Sequence, residues 1–178
     1  MMTPLHLAAQ ADCSLCVKII FEYMGRRDEQ DNFLSYLAQR DAEGRTPLIL
    51  AVLSAEKVQS ERGSQQEEAY HSKSSGYVVE TLLNLGSDPQ EVWKGGIRPL
   101  HIAAERGNIH ILAAILLSLI EQTMNFQLNA ETDSGEDPLD IAIANNHLEI
   151  VAMLVQSGLQ IKRKHFQLAH DQKNQKIS

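Results

Sequence analysis

Several things are scarce in this sequence, and each scarcity excludes a class of protein. Two cysteines, Cys13 and Cys16, cannot build a disulfide framework. With 178 residues the chain is too short for a complete (β/α)₈ barrel, which needs at least ~200. Long hydrophobic runs are missing. The nearest approach, residues 109–120, is broken by His110 and Ser118, and at ~1.5 Å of helix rise per residue it cannot cross a bilayer. No cationic segment precedes an apolar core at Met1-Met2-Thr3-Pro4, so no signal peptide is read. G-x-S-x-G, phosphate-loop, dinucleotide and H-E-x-x-H patterns are all absent. The expectation is a non-enzymatic protein without cofactor or metal, reduced and cytoplasmic, with the nucleus as the alternative.

What is present is ordinary in bulk and uneven in detail. The chain is 43% hydrophobic and 22% charged, with a net charge of −7, as in a soluble single domain. Five of its 16 basic residues, Lys162, Arg163, Lys164, Lys173 and Lys176, fall after residue 161, where Asp171 is the one acid. The preceding 161 residues therefore hold 11 basic and 22 acidic groups, net −11, against +4 for the tail. An acidic body repels phosphate backbones, so direct nucleic-acid binding is not expected. Neither is a membrane.

The chain repeats itself. Thr3-Pro-Leu-His-Leu-Ala-Ala9, Thr46-Pro-Leu-Ile-Leu-Ala-Val52, Arg98-Pro-Leu-His-Ile-Ala-Ala104 and Asp137-Pro-Leu-Asp-Ile-Ala-Ile143 share one pattern. Each is followed by a second apolar run at helical spacing: 17–21, 78–83, 111–116 and 150–155. Three are preceded by glycine-bearing turns at 41–44, 94–96 and 132–135. Proline suits the first helical position, and Thr or Asp before it can accept the free helix N–H groups, which Arg98 cannot do. The Leu of each motif is a core residue. Paired alanines let two helices approach closely.

This pattern resembles the ankyrin repeat, with its Thr-Pro-Leu-His-x-Ala signature and a period of about 33 residues. The resemblance implies an all-α solenoid of four stacked helix-turn-helix repeats carrying polar insertions. The motif starts are 43, 52 and 39 residues apart, so the surplus must sit in insertions. Histidine in this motif belongs, by resemblance, to a hydrogen-bond network beside the turn. With Ile49 and Asp140 in its place, that network should be incomplete in the second and fourth repeats. The domain is read as 1–161 and the basic tail as 162–178, partly disordered beyond a short covering helix through Ile161, Phe166 and Leu168. Residues 54–75, rich in Ser, Gln and Glu, read as a mobile polar loop. Phe33, Leu34 and Leu37 have helical spacing and should dock the first insertion on the body.

The remaining candidates for chemistry have bland readings. Cys13-x-x-Cys16 lacks the other two ligands of a zinc site and a thioredoxin-like context, so free thiols are expected. His101 and Glu105 share a helix face without forming a metal motif. The expected contact residues follow from the resemblance, since turns and first helices line the recognition surface in this family. They are Trp93, Arg45, Lys94, Ile97 and Glu136 from turns, with Glu105, Arg106 and Asn145 from the ends of first helices. Trp93 leads because indoles are enriched among binding hot spots; its competing role is packing back onto the neighbouring turn. The irregular repeat lengths and the segment Leu128–Gly135 are similar to the inhibitor-of-kappa-B and Rel-precursor subgroup. That implies a monomeric scaffold or inhibitor whose protein partner is a Rel-type transcription factor. The alternative is the targeting domain of a longer enzyme, channel or pathogen effector, motivated by the abrupt start at Thr3.

Overall fold

The computed structural model describes residues 1–25, 30–55, 76–122 and 128–175. The helices are α1 (Pro4–Gln10), α2 (Ser14–Gly25), α3 (Gln30–Leu37), α4 (Pro47–Ser54), α5 (Tyr77–Asn84), α6 (Pro99–Arg106), α7 (Ile109–Gln122), α8 (Pro138–Ala144), α9 (Leu148–Gln156) and α10 (Arg163–Gln175). A short 3₁₀ turn spans Lys94–Gly96. No strand occurs among the described residues, and no helix there is long and apolar enough to cross a membrane.

The helices start where the capping residues stand. Thr3 and Thr46 accept the N–H groups of His6 and Ile49, and Asp137 accepts those of Leu139 and Asp140. Arg98 accepts none, as its chemistry requires. In that motif the His101 ring compensates: Nδ1 accepts the Arg98 N–H at 3.2 Å. The turn joining α6 to α7 needs a left-handed residue and has Gly107 (φ +70°). Asp12 (φ +50°) and Asn146 (φ +57°) occupy the same place between α1 and α2 and between α8 and α9, being the residues that tolerate this region best after glycine.

Packing produces two layers. The Pro-Leu helices α1, α4, α6 and α8 lie side by side in that order, followed by α10, and α2, α5, α7 and α9 form the second layer behind them. A contiguous core runs between the layers through Leu5, Leu48, Leu100 and Leu139 from the first and Val17, Leu82, Ile111, Ile115, Ile150 and Leu154 from the second. Each fully buried leucine of this kind is worth about 2 kcal/mol of transfer free energy. No helix pair could bury such a face alone, so stacking is obligatory.

Four expectations need comment. Helix α3 docks as the spacing of its apolar residues requires: Phe33 and Leu37 are buried, and Phe33 meets Phe21 edge to face at 4.6 Å, although Leu34 stays exposed. The cysteines are not free thiols. They are joined as a Cys13–Cys16 disulfide, because α2 begins between them and folds Cys16 back over Cys13. The tail expected to fray past His170 is helical from Arg163 to Gln175, packed on α8, and its last three residues lie outside the described residues. The mobile loop expected at 54–75 lies, from residue 56 onward, outside the described residues.

Candidate functional site

The turns that precede the Pro-Leu helices are hairpin-like and identically closed. In each, the first N–H donates to the carbonyl four residues on: Asp41 to Arg45 at 2.9 Å, Trp93 to Ile97 at 2.7 Å and Thr132 to Glu136 at 2.9 Å. The first turn is organised by the buried Asp41, whose carboxylate accepts from the backbone of Glu43 and Arg45 and from the Arg45 guanidinium. Burial alone would raise the Asp41 pKa, but these donors outweigh it and hold the group below its usual value. The third turn is organised by hydroxyls, with Ser134 bridging Thr132 and Glu136.

The turns are fastened to one another. The Trp93 indole N–H donates to the Glu43 carbonyl at 3.0 Å, and Arg40 spans the same gap by donating to Gly44 at 2.9 Å and Val92 at 3.1 Å. The next gap is closed by the Asp133 N–H donating to the Gly95 carbonyl at 2.8 Å. The neighbouring Gly96 is needed twice. Its φ is +73°, and a Cβ there would stand 2.9 Å from the Asp133 nitrogen. Beneath the row, the Thr46 hydroxyl donates to the Glu91 carboxylate while accepting the Ile49 N–H at 3.2 Å. Burial pushes the Glu91 pKa up to about 7, against the opposing pull of Thr46 and Arg40.

Two histidines tie successive units together from below. His6 Nε2 pairs with the Arg45 carbonyl at 3.0 Å, and His101 Nε2 with the Ala130 carbonyl at 2.9 Å. Burial holds the His101 pKa below its usual value. In the fourth motif this network was expected to be incomplete, yet Asp140 replaces half of it by accepting the Asp137 N–H at 2.9 Å. The cross-unit half is taken over by His165 of α10. Its Nδ1 accepts the Lys162 N–H at 2.9 Å, and its Nε2 lies 3.1 Å from both Asp137 carboxylate oxygens.

Asp137, Asp140 and His165 are three metal-ligating residue types within one small buried cluster. Cationic side chains already neutralise it. Lys164 pairs with Asp140 and lies 3.3 Å from Asp137, while Lys162 lies 3.5 Å from Asp137 and 2.6 Å from Glu131. Burial raises the Asp137 pKa, while the Asp140 N–H, His165 and Lys164 lower it, and the lowering wins. The cluster reads as the fastening of α10. Sequence reasoning missed it, although Lys162-x-x-His165 repeats the spacing of Thr3-x-x-His6 and Arg98-x-x-His101; without the Pro-Leu pair the motif was invisible.

The eight expected contact residues fall into two groups. Arg45, Trp93, Lys94, Ile97 and Glu136 come together in the row of turns, whereas Glu105, Arg106 and Asn145 lie at the far ends of α6 and α8. An eight-residue helix separates the groups, about 12 Å. Arg45 is ion-paired to Asp41 and Glu43, and Trp93 and Ile97 are half-buried against the core. Lys94, Glu105, Glu136 and Asn145 are exposed and Arg106 is half-buried. Glu43 and Asp133, exposed on the same row, were not singled out from sequence, because nothing in their spacing marks them. The bodies of α4 and α6 are buried from Pro47 to Val52 and from Pro99 to Ala104. Exposed side chains on this face therefore come from turns and helix ends.

Comparison with known proteins agrees with this architecture. The profile for ankyrin repeats (three copies) matches residues 69–165. The chain is 25% identical to human (Homo sapiens) NF-kappa-B inhibitor zeta over 150 residues, covering 71% of this chain and 20% of that protein. It is 31% identical to mouse (Mus musculus) NF-kappa-B inhibitor alpha over 84 residues, covering 47% of this chain and 27% of that protein. The chain thus spans about a fifth to a quarter of the length of the curated relatives it matches.

Proposed function

The chain belongs to the ankyrin repeat family, and on that premise we propose that it is a non-enzymatic regulator that grips a basic segment of a Rel-type transcription factor along its row of turns. The observation that carries this reading is the mutual fastening of the turns, Glu43 to Trp93 and Gly95 to Asp133. A surface held by its own backbone hydrogen bonds loses little conformational entropy when a partner arrives. Glu43, Asp133 and Glu136 are exposed acids along this edge, beside the exposed cations Lys94 and Arg40. The net −11 of residues 1–161 favours a cationic partner and speeds encounter with it. The inhibitor names of the relatives support the regulatory role. On this reading the protein is a monomer of the cytoplasm or nucleus.

In this scheme Lys94, Glu43, Asp133 and Glu136 touch the partner, while Arg45, Trp93 and Ile97 hold the row in shape. Glu105, Arg106 and Asn145 extend the contact across the first helices. The test is binding of a purified Rel-homology dimer at low and high salt. The reading expects saturable binding at low salt, weakened about tenfold or more by a Glu43→Lys/Glu136→Lys double variant and by added salt. Absence of binding at low salt would remove the Rel assignment. The fraction of the relatives' length that the chain covers favours one second reading, a recognition domain within a longer protein whose other parts carry a separate activity. Pull-down of a non-Rel partner that the same double variant loses would select it.

A further inference from the structure

Cys13 and Cys16 are joined by a disulfide across the start of α2, with Ser14 and Leu15 alone between them. A cross-link stabilises a fold chiefly by closing a long loop in the unfolded chain, and this loop is among the shortest a disulfide can close. The junction of α1 and α2 is held without it. The Cys13 N–H donates to the Ala8 carbonyl at 3.0 Å and the Asp12 N–H to the Ala9 carbonyl at 3.2 Å. Helix α2 is started without it as well, since the Cys13 carbonyl accepts the Val17 N–H at 3.1 Å. The bond has little left to stabilise.

The two sulfurs are not equivalent. Cys13 stands in the capping position of α2, and its Sγ accepts the Cys16 N–H at 3.2 Å, as the oxygen of a capping Ser or Thr would. That donor and the first turn of a 12-residue helix stabilise negative charge on the Cys13 sulfur. Cys13 is half-buried, whereas Cys16 is exposed. An incoming thiolate therefore reaches Cys16 first, and the sulfur it displaces is the better leaving group of the two.

We infer that Cys13 and Cys16 form a thiol–disulfide exchange site for a low-molecular-weight thiol of the glutathione class, Cys16 being the sulfur attacked and Cys13 the leaving and resolving one. In the reducing direction the small thiolate attacks Cys16 Sγ. The bond between the two protein sulfurs breaks, a mixed disulfide forms on Cys16, and Cys13 leaves as a thiolate that takes up a proton. A second small thiolate then attacks the small thiol's own sulfur in that mixed disulfide, releasing Cys16 and a small-molecule disulfide. Two thiols have lost two electrons and the protein pair has gained them. In the oxidising direction Cys16 attacks the small disulfide and expels one thiolate, and Cys13 closes the pair by expelling the other. The site follows the end of α1, whereas the turns precede the starts of the first-layer helices; it stands whether or not the row of turns binds a Rel protein.

The test equilibrates the 178-residue chain in native buffer at varied ratios of reduced to oxidised glutathione, with acid quenching, alkylation and mass spectrometry. The wild type should pass reversibly between dithiol and disulfide as the ratio changes, a result that needs no variant. Cys13→Ser, whose serine keeps the helix cap, should hold one glutathione on Cys16 as a lasting mixed disulfide, because the resolving sulfur is gone. Cys16→Ser should acquire glutathione on Cys13 about tenfold more slowly or worse. Circular dichroism of both variants should match the reduced wild type. A pair that is reduced only in denaturant, or only by a protein dithiol, would overturn the proposal. So would thiols that never close, equal rates for the two variants, or a disulfide that links two chains.

Discussion

The indole N–H of Trp93 donates to the carbonyl of Glu43 at 3.0 Å, joining two turns 50 residues apart in the chain. The side chain is half-buried and packs against the core. The one tryptophan therefore locks the row of turns. Trp93→Phe should cost about 1 kcal/mol, the worth of one hydrogen bond. Trp93→Ala should cost about 2–4 kcal/mol, because packing goes as well. Urea unfolding measures both. Equal costs would mean that the hydrogen bond contributes nothing.

Gly96 and Gly135 separate backbone strain from inter-turn contact. Both have positive φ, +73° and +81°, but a Cβ at Gly135 meets open space whereas one at Gly96 meets the backbone of Thr132 and Asp133. Gly135→Ala should destabilise by about 1–2 kcal/mol, the cost of a left-handed L-residue. Gly96→Ala should cost at least about 1 kcal/mol more, because the two turns must part. Thermal melts of the pair check the difference.

Glu91 should make stability fall as pH rises through the neutral range. Its folded pKa of about 7 lies above the ordinary 4.5, so between these values the native state binds more protons than the unfolded one. Stability then declines with increasing pH across that window, by at most about 3 kcal/mol in full. Glu91→Gln keeps the partnership with Thr46 and should flatten the profile between pH 5 and 8, with its largest gain on the alkaline side. A slope that survives in the variant would assign it elsewhere.

The fastening of α10 should have the opposite dependence at the acid end. Asp137 has a lowered pKa and Lys164 a raised one. The carboxylate contribution is present above the unfolded value near 4 and lost as pH falls through the folded one. The lysine contribution is present below 10.5 and lost as pH rises through its folded value. The clasp therefore holds through neutrality. Lys164→Met should cost about 2–4 kcal/mol, since it leaves buried carboxylates short of countercharge, and should raise the pH of acid unfolding. Lys162→Met, whose closest partner Glu131 is exposed, should cost under about 1 kcal/mol. Hydrogen exchange of α10 amides would localise the effect.

Much of the fold was legible because its signals are local. Proline and leucine mark the starts of α1, α4, α6 and α8, with a capping side chain before all but α6, where Arg98 was readable as a failed cap from its chemistry alone. Legibility failed where a role was filled by a different residue. Asp140 and His165 rebuild a network that the absence of histidine at 140 seemed to break, and Lys162-Arg-Lys-His165 begins a helix of the stack without proline or leucine. At the candidate site, the place of Trp93 on a turn could be read, whereas the choice between facing outward and locking inward could not. That choice depends on the Glu43 carbonyl, which no pattern around Trp93 specifies.

By itself the sequence determined the helix starts, the left-handed turns and the apolar stripes that oblige the units to stack, because each arises from atoms a few residues apart. Tertiary structure alone decided which turn fastens to which, which buried carboxylates meet lysines, and that α10 packs on α8. Those outcomes depend on distances between segments separated by tens of residues, where rigid-body placement of one helix pair on another sets every contact at once.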